Sequence, residues 1–287
     1  MPTPSRFPRT MPRRIATRLA AGVLGCLTVG VAHDHLPAAP PGRLTLPGES
    51  FTVADRPAFL FAAAGEPAPA GRRPWVLYAP TLPAYPDEAE RWMHEQFTRA
   101  GIAVAGVDTG ESYGSPAAVA VAEALHAEMV RRGYATKPVI LGRSRGGLWA
   151  AAFAIAHPEW SAGLAGIYPV YDWRTYPGVE KAAAAYGLPA ADLATRAGDL
   201  CPIERIDVAA RAGIPVCIIH GDHDTVVPLG PNSARLRDRY VALGKGDLVN
   251  LIVATGQGHS FWEGFFHCRP LVDFVVARAR AGAATPE

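Results

Sequence analysis

The sequence predicts an α/β fold, a mostly parallel central sheet with helices on both faces. Short runs that are apolar throughout, such as Trp75 to Ala79, alternate with helix-length segments; strands of that kind are buried on both sides. The helix-length segments stop at Gly101, Gly133 and Pro158, residues that end helices. With 287 residues, 49% hydrophobic and 19% charged, the chain can bury a core without disulfide staples.

Element by element, residues 44–51 and 58–63 read as an initial antiparallel pair, with Pro47-Gly48 breaking the first run. Strands follow at 75–79, 102–107, 138–141, 164–170, 216–220 and 248–254, and helices at 88–100, 117–132, 146–157, 235–243 and 261–281. Residues 171–207, rich in Tyr, Pro and Ala, break the rhythm. They read as a small cap over the strand ends or a long crossover. No internal repeat is visible.

The N-terminus reads as an address. Residues 1–32 hold five arginines and no acid, and the uncharged run 19–32 has 14 residues, fewer than the ~20 a bilayer span needs. Ending in Gly30-Val31-Ala32, it reads as a secretory signal peptide for a periplasmic or extracellular protein with no stable membrane span. Arg13-Arg14 offers a twin-arginine alternative and Val23 to Cys26 a lipoprotein alternative in which Leu24 fits poorly. Residues 33–42, with Pro37, Pro40 and Pro41, read as a linker, leaving 43–287 as the folded domain.

Subtracting those five arginines from the formal +2 leaves the body at −3. A mildly acidic body without a basic stripe excludes a nucleic-acid partner. Cys217 reads as a small hydrophobe in a buried strand, Cys201 and Cys268 as a possible disulfide, and no CxxC supports a metal.

Gly142-Arg143-Ser144-Arg145-Gly146-Gly147 follows a strand and opens a helix, the context a nucleophile elbow requires. A sharp turn exposes the Ser144 hydroxyl, small residues at 142 and 146 let strand and helix approach, and the helix N-terminus faces a developing oxyanion. The same residues also suit a glycine-rich helix start with a capping serine, or an anion site.

A serine nucleophile needs a base, and the base an orienting acid. His220-Gly221-Asp222-His223-Asp224 follows one late strand and Gly256-Gln257-Gly258-His259 the next, where open α/β sheets gather their ligands. His259 is the base; His94, His126 and His157 fall on helices, and His220 ends a strand as a supporting residue. Asp222, Asp224 and, after an earlier strand, Asp172 are available as the acid.

The order Ser144, then His220-Gly-Asp-His-Asp224-Thr-Val-Val-Pro228, then Gly256-Gln-Gly-His259 resembles the α/β-hydrolase superfamily over roughly 72–281. The GxSxGG form resembles its dienelactone-hydrolase and prolyl-oligopeptidase-like branches. The resemblance implies that Asp224 orients His259, that Asp222 forms the turn, and that no metal or organic cofactor is needed. It implies an oxyanion hole from the Arg145 N–H and a donor in the loop after strand 75–79. The usual His-Gly element is absent there; Pro80 and Pro83 have no N–H, leaving Thr81 or Leu82, and counting from the strand end favours Thr81.

Candidate substrate contacts are Arg143, Glu111, Tyr113, Trp173 and Trp262, within an aromatic set that includes Tyr168, Tyr171, Tyr176 and Phe261. Asp108 reads as a turn former. The expected activity is serine-dependent cleavage of a small-molecule ester or carbohydrate ester. The competing readings are a peptidase of the prolyl-oligopeptidase-like kind and a non-catalytic binding protein that kept the fold.

Overall fold

The computed structural model describes residues 44–64, 72–79 and 86–284. The signal-peptide and linker readings, Cys26 and Thr81 lie outside the described residues. Eight strands form one sheet in the order β1-β2-β4-β3-β5-β6-β7-β8. β1 (Glu49–Val53) and β2 (Arg56–Phe61) make the expected hairpin, and β2 runs antiparallel to β4 (Ala103–Val107). The remaining pairs are parallel: β3 (Trp75–Ala79) beside β4 and β5 (Val139–Arg143), then β6 (Gly163–Ile167), β7 (Val216–Gly221) and β8 (Val249–Ala254). This is the α/β-hydrolase fold that the motif order implied.

Although the strands are apolar throughout, successive side chains still point to opposite faces. Trp75, Leu77 and Ala79 join a core with α2 (Pro116–Arg131) and α3 (Gly146–Ala156). Val76 and Tyr78 join the core on the other face, with α1 (Arg91–Arg99) and α11 (Arg269–Ala284). Helices thus cover both faces, as a parallel sheet requires.

Cys201 belongs to the first core and Cys268 to the second. Both thiols are free, so the pairing considered from the sequence is corrected: the sheet stands between them.

Residues 171–207 connect β6 to β7. They lead through short helices α4 (Val179–Tyr186), α5 (Ala190–Thr195), α6 (Ala197–Leu200), α7 (Pro202–Arg205) and α8 (Asp207–Arg211) into β7. Their apolar residues Ala182, Leu193, Ile203 and Ile206 are part of the α2–α3 core. The segment is thus packed into that core, with Tyr176 only partly buried against it.

α9 (Arg235–Ala242) precedes β8. The single helix expected over 261–281 is two, α10 (Glu263–Phe266) and α11; Pro270, which has no N–H to bond backwards, sits in the first turn of α11, where none is needed. The helix expected from 88 begins with a 3-10 turn, Glu88–Glu90, closed by a capping box between Asp87 and Glu90. β6 stops at Ile167, three residues short of the expected end, because Tyr168 turns out of the sheet with φ 35°.

Candidate active site

At the end of β5 the chain turns sharply. Ser144 has φ 49°, a region that costs a non-glycine residue ~1–3 kcal/mol unless its surroundings fix it. They do: the Ser144 N–H donates to Ile167 O at 3.0 Å, and its carbonyl accepts from Gly147 N–H at 2.9 Å and Val170 N–H at 2.8 Å. A Cβ on Gly142 would stand 2.8 Å from Gly147 Cα, and one on Gly147 2.6 Å from Pro169. The close approach therefore runs from Gly142 to Gly147.

Asp224 and His259 come from the loops after β7 and β8. These loops are laced together. His223 N–H donates to Gln257 O at 3.0 Å and Gly256 N–H to Asp222 Oδ1 at 2.7 Å. Gly221 is obligatory beneath them, since a Cβ there would lie 2.1 Å from Gln257 O. Asp222 is thus the turn former.

Ser144 Oγ lies 3.0 Å from His259 Nε2, and His259 Nδ1 lies 2.7 Å from Asp224 Oδ2. A carboxylate only accepts, so Nδ1 carries the proton and Nε2 accepts from the serine hydroxyl. The other Asp224 oxygen accepts from Val226 N–H (3.0 Å) and Val227 N–H (2.7 Å). Burial pushes the Asp224 carboxyl up, but hydrogen bonds from His220, His259 and Val227 N–H outweigh it and hold the group well below the usual carboxylate range. His220 is fully buried; its Nε2 donates to Val227 O at 2.8 Å and stands 3.5 Å from Asp224 Oδ2, while Nδ1 accepts from Ser233 Oγ at 2.7 Å.

A cleft of about 240 Å³ opens over Ser144 and His259, lined also by Arg143, Arg145, Tyr168, Tyr176, Val226, Ser260 and Phe261. Phe261, 66% exposed, and Val226, 46% exposed, make an apolar lip. Tyr176 and Phe261 come from the aromatic set singled out in the sequence, whereas Val226 carried no signal. The Arg145 N–H, at the mouth of α3, has no backbone acceptor among the described residues.

Several expected contacts sit elsewhere. Trp173 is fully buried in the α2–α3 core: the N–H groups of Tyr171 and Asp172 both donate to Asn232 Oδ1, which pins the segment with Trp173 turned inward. Asp172 is held by Arg174 through both oxygens at 2.7 Å, leaving Asp224 to His259. Trp262 lies outside the cleft lining, edge-on to Phe265. Glu111 and Tyr113 border a smaller adjoining recess, where Glu111 accepts from Arg145 Nη1 at 2.9 Å. Asp108 accepts from Gly110 N–H, a turn former as expected. Arg143 is buried and paired to Asp87 (2.7 Å) and Glu90, which leaves little of it for a substrate. Asp87 and Glu90 were legible as a helix start, not as partners of the elbow. Among the described residues there is no cluster suited to a metal ion and no helix long and apolar enough to cross a membrane.

Fold and elbow together define an α/β-hydrolase. The family model "Prolyl oligopeptidase family" matches residues 109–268, more than half of the chain, and the protein belongs to that family of serine hydrolases. No curated protein matches the chain. Among solved structures it is similar to a puromycin-hydrolyzing peptidase of Mycobacterium tuberculosis (TM-score 0.63, 19% identity, 86% of this chain and 41% of that one). It is similar also to Est1E from Butyrivibrio proteoclasticus (0.62, 16%, 82% and 99%) and to a monoacylglycerol lipase of Paleococcus ferrophilus (0.53, 18%, 80% and 99%). The chain spans 39–41% of the length of the puromycin-hydrolysing chains it matches.

Proposed function

We propose that this serine hydrolase is exported and cleaves small carboxylic esters through Ser144, His259 and Asp224. The observation that carries the reading is the unbroken relay from Ser144 Oγ to His259 to Asp224 at 3.0 and 2.7 Å, on a strained turn that opens into a cleft. His259 takes the hydroxyl proton as Ser144 Oγ attacks the acyl carbon. The oxyanion is received by the Arg145 N–H and a donor in the loop after β3, for which Thr81 is the candidate. The imidazolium protonates the departing alcohol, leaving an acyl-enzyme, and water activated by His259 releases the acid.

The apolar lip of Phe261 and Val226 favours an uncharged acyl group, and the modest cleft a short one. Support for the ester reading comes from neighbours whose own chains are matched almost end to end, a monoacylglycerol lipase among them. The family match and the puromycin-hydrolyzing neighbours favour a second reading, cleavage of short peptides.

Fluorophosphonate labelling with mass spectrometry, beside turnover of acetyl, butyryl and octanoyl esters and of matched aminoacyl amides, tests both. The expected result is an adduct on Ser144, ester turnover well above amide turnover, and a loss of at least ~10³-fold in Ser144→Ala. Amide turnover equal to or above ester turnover would favour the peptidase, and a folded protein without adduct would overturn the catalytic reading.

A further inference from the structure

Arg143, the residue before Ser144, is the last of β5, and its side chain is only 8% exposed. Its Nη1 donates to Asp87 Oδ2 at 2.7 Å and to Glu90 Oε1, and its Nε donates to Tyr168 Oη at 3.2 Å. Glu90 also accepts from Tyr78 Oη at 2.6 Å and, through its second oxygen, from Asp87 N–H at 2.8 Å. The Tyr168 ring lies 4.3 Å from the His259 ring, and the guanidinium sits 4.8 Å from the centre of Phe261.

One side chain therefore meets the first helical turn after β3, the turn after β6 and the loop that carries His259. A buried ion pair is a poor source of stability, because well-packed apolar residues of the same volume do as well or better. A planar guanidinium fork, in contrast, fixes the direction of each partner.

We propose that Arg143 is a positioning residue: its fork ties the segment entering α1 and the floor beneath His259 to the elbow, so that Ser144 and His259 keep their reactive register. The inference rests on the reading of Ser144 as nucleophile. It acts through Tyr168 and the His259 loop, without contact to the reacting atoms.

The test compares Arg143→Met, Arg143→Lys, Glu90→Gln, the Arg143→Met/Glu90→Gln double variant and Ser144→Ala. Folding is checked by near-UV circular dichroism. The readouts are kcat and KM on p-nitrophenyl butyrate and the rate of fluorophosphonate labelling. Misplaced reacting groups lower the chemical step, so Arg143→Met should lose about 10- to 100-fold in kcat and labelling rate. KM should stay within about threefold, since an interaction felt only in the transition state leaves ground-state binding alone. Arg143→Lys should recover part of the loss, and the double variant should be no slower than Arg143→Met.

A folded Arg143→Met labelled at the wild-type rate overturns the proposal. If that variant does not fold, wild-type kcat and labelling in both Arg143→Lys and Glu90→Gln overturn it. In both cases an inactive Ser144→Ala leaves the nucleophile reading intact. Full turnover in Ser144→Ala would instead remove that reading and the proposal with it.

Discussion

The two arginines that flank Ser144 live in different electrostatic worlds. Arg143 ends a strand, points beneath the cleft and is enclosed with two carboxylates and two tyrosine hydroxyls. Arg145 opens a helix, stands at the rim 24% exposed, and pairs with one exposed carboxylate, that of Glu111. Each charge is matched by acids, but only on the floor is one of them, Glu90, closed off from water. Identity of residue type says little about the work done; dielectric and the number of fixed partners say more.

The sharpest way to break this comparison is to remove each guanidinium and measure unfolding by urea. Arg143→Met leaves the Glu90 carboxylate buried without its cation, beside a half-exposed Asp87, and should destabilise by about 3–5 kcal/mol. The loss should be larger at pH 8.5 than at pH 6, because at the lower pH Glu90 takes up a proton and sheds the stranded charge.

The second effect belongs to Glu90 in the intact protein. Burial pushes its carboxyl up from the ordinary value of about 4.5 to about 7. The folded state thus holds this proton more tightly than the unfolded chain. Its contribution is full below about 4.5 and lost as pH rises through about 7, a decline on the order of 3 kcal/mol. Urea midpoints across that range should fall for the wild type and stay flatter in Glu90→Gln; equal slopes would disprove the assignment.

The smallest effect is at the rim. Arg145→Met breaks one half-exposed pair and should change stability by about 0–1 kcal/mol, with the same fluorescence-monitored unfolding as the check. Because the backbone N–H at 145 survives the substitution, ester turnover should change far less than in Arg143→Met.

Much of the fold was legible because a parallel sheet writes itself as apolar runs separated by helices. The spatial order β1-β2-β4-β3-β5 was not, since nothing local records which strand lies beside which. Ser144, Asp224 and His259 were legible for a related reason. Each follows a strand end, and parallel strand ends converge wherever they lie in sequence. The partners of Arg143 were hidden, standing 53 and 56 residues away on a segment whose own pattern announces only a helix start. Trp173 misled for the opposite reason: it lies in an aromatic stretch after a strand, but a buried asparagine from a later turn aims it at the core.

The separation of Cys201 and Cys268 by the sheet has a chemical consequence. With Cys217, the three thiols among the described residues are all buried, and burial pushes those of Cys201 and Cys217 up to about 12, where almost no thiolate exists at neutral pH. Among the described residues the covalent state should therefore be the same in a reducing or an oxidising compartment. It also gives a clean chemical background among the described residues: an electrophile that reacts there with the folded enzyme does not report on Cys201, Cys217 or Cys268.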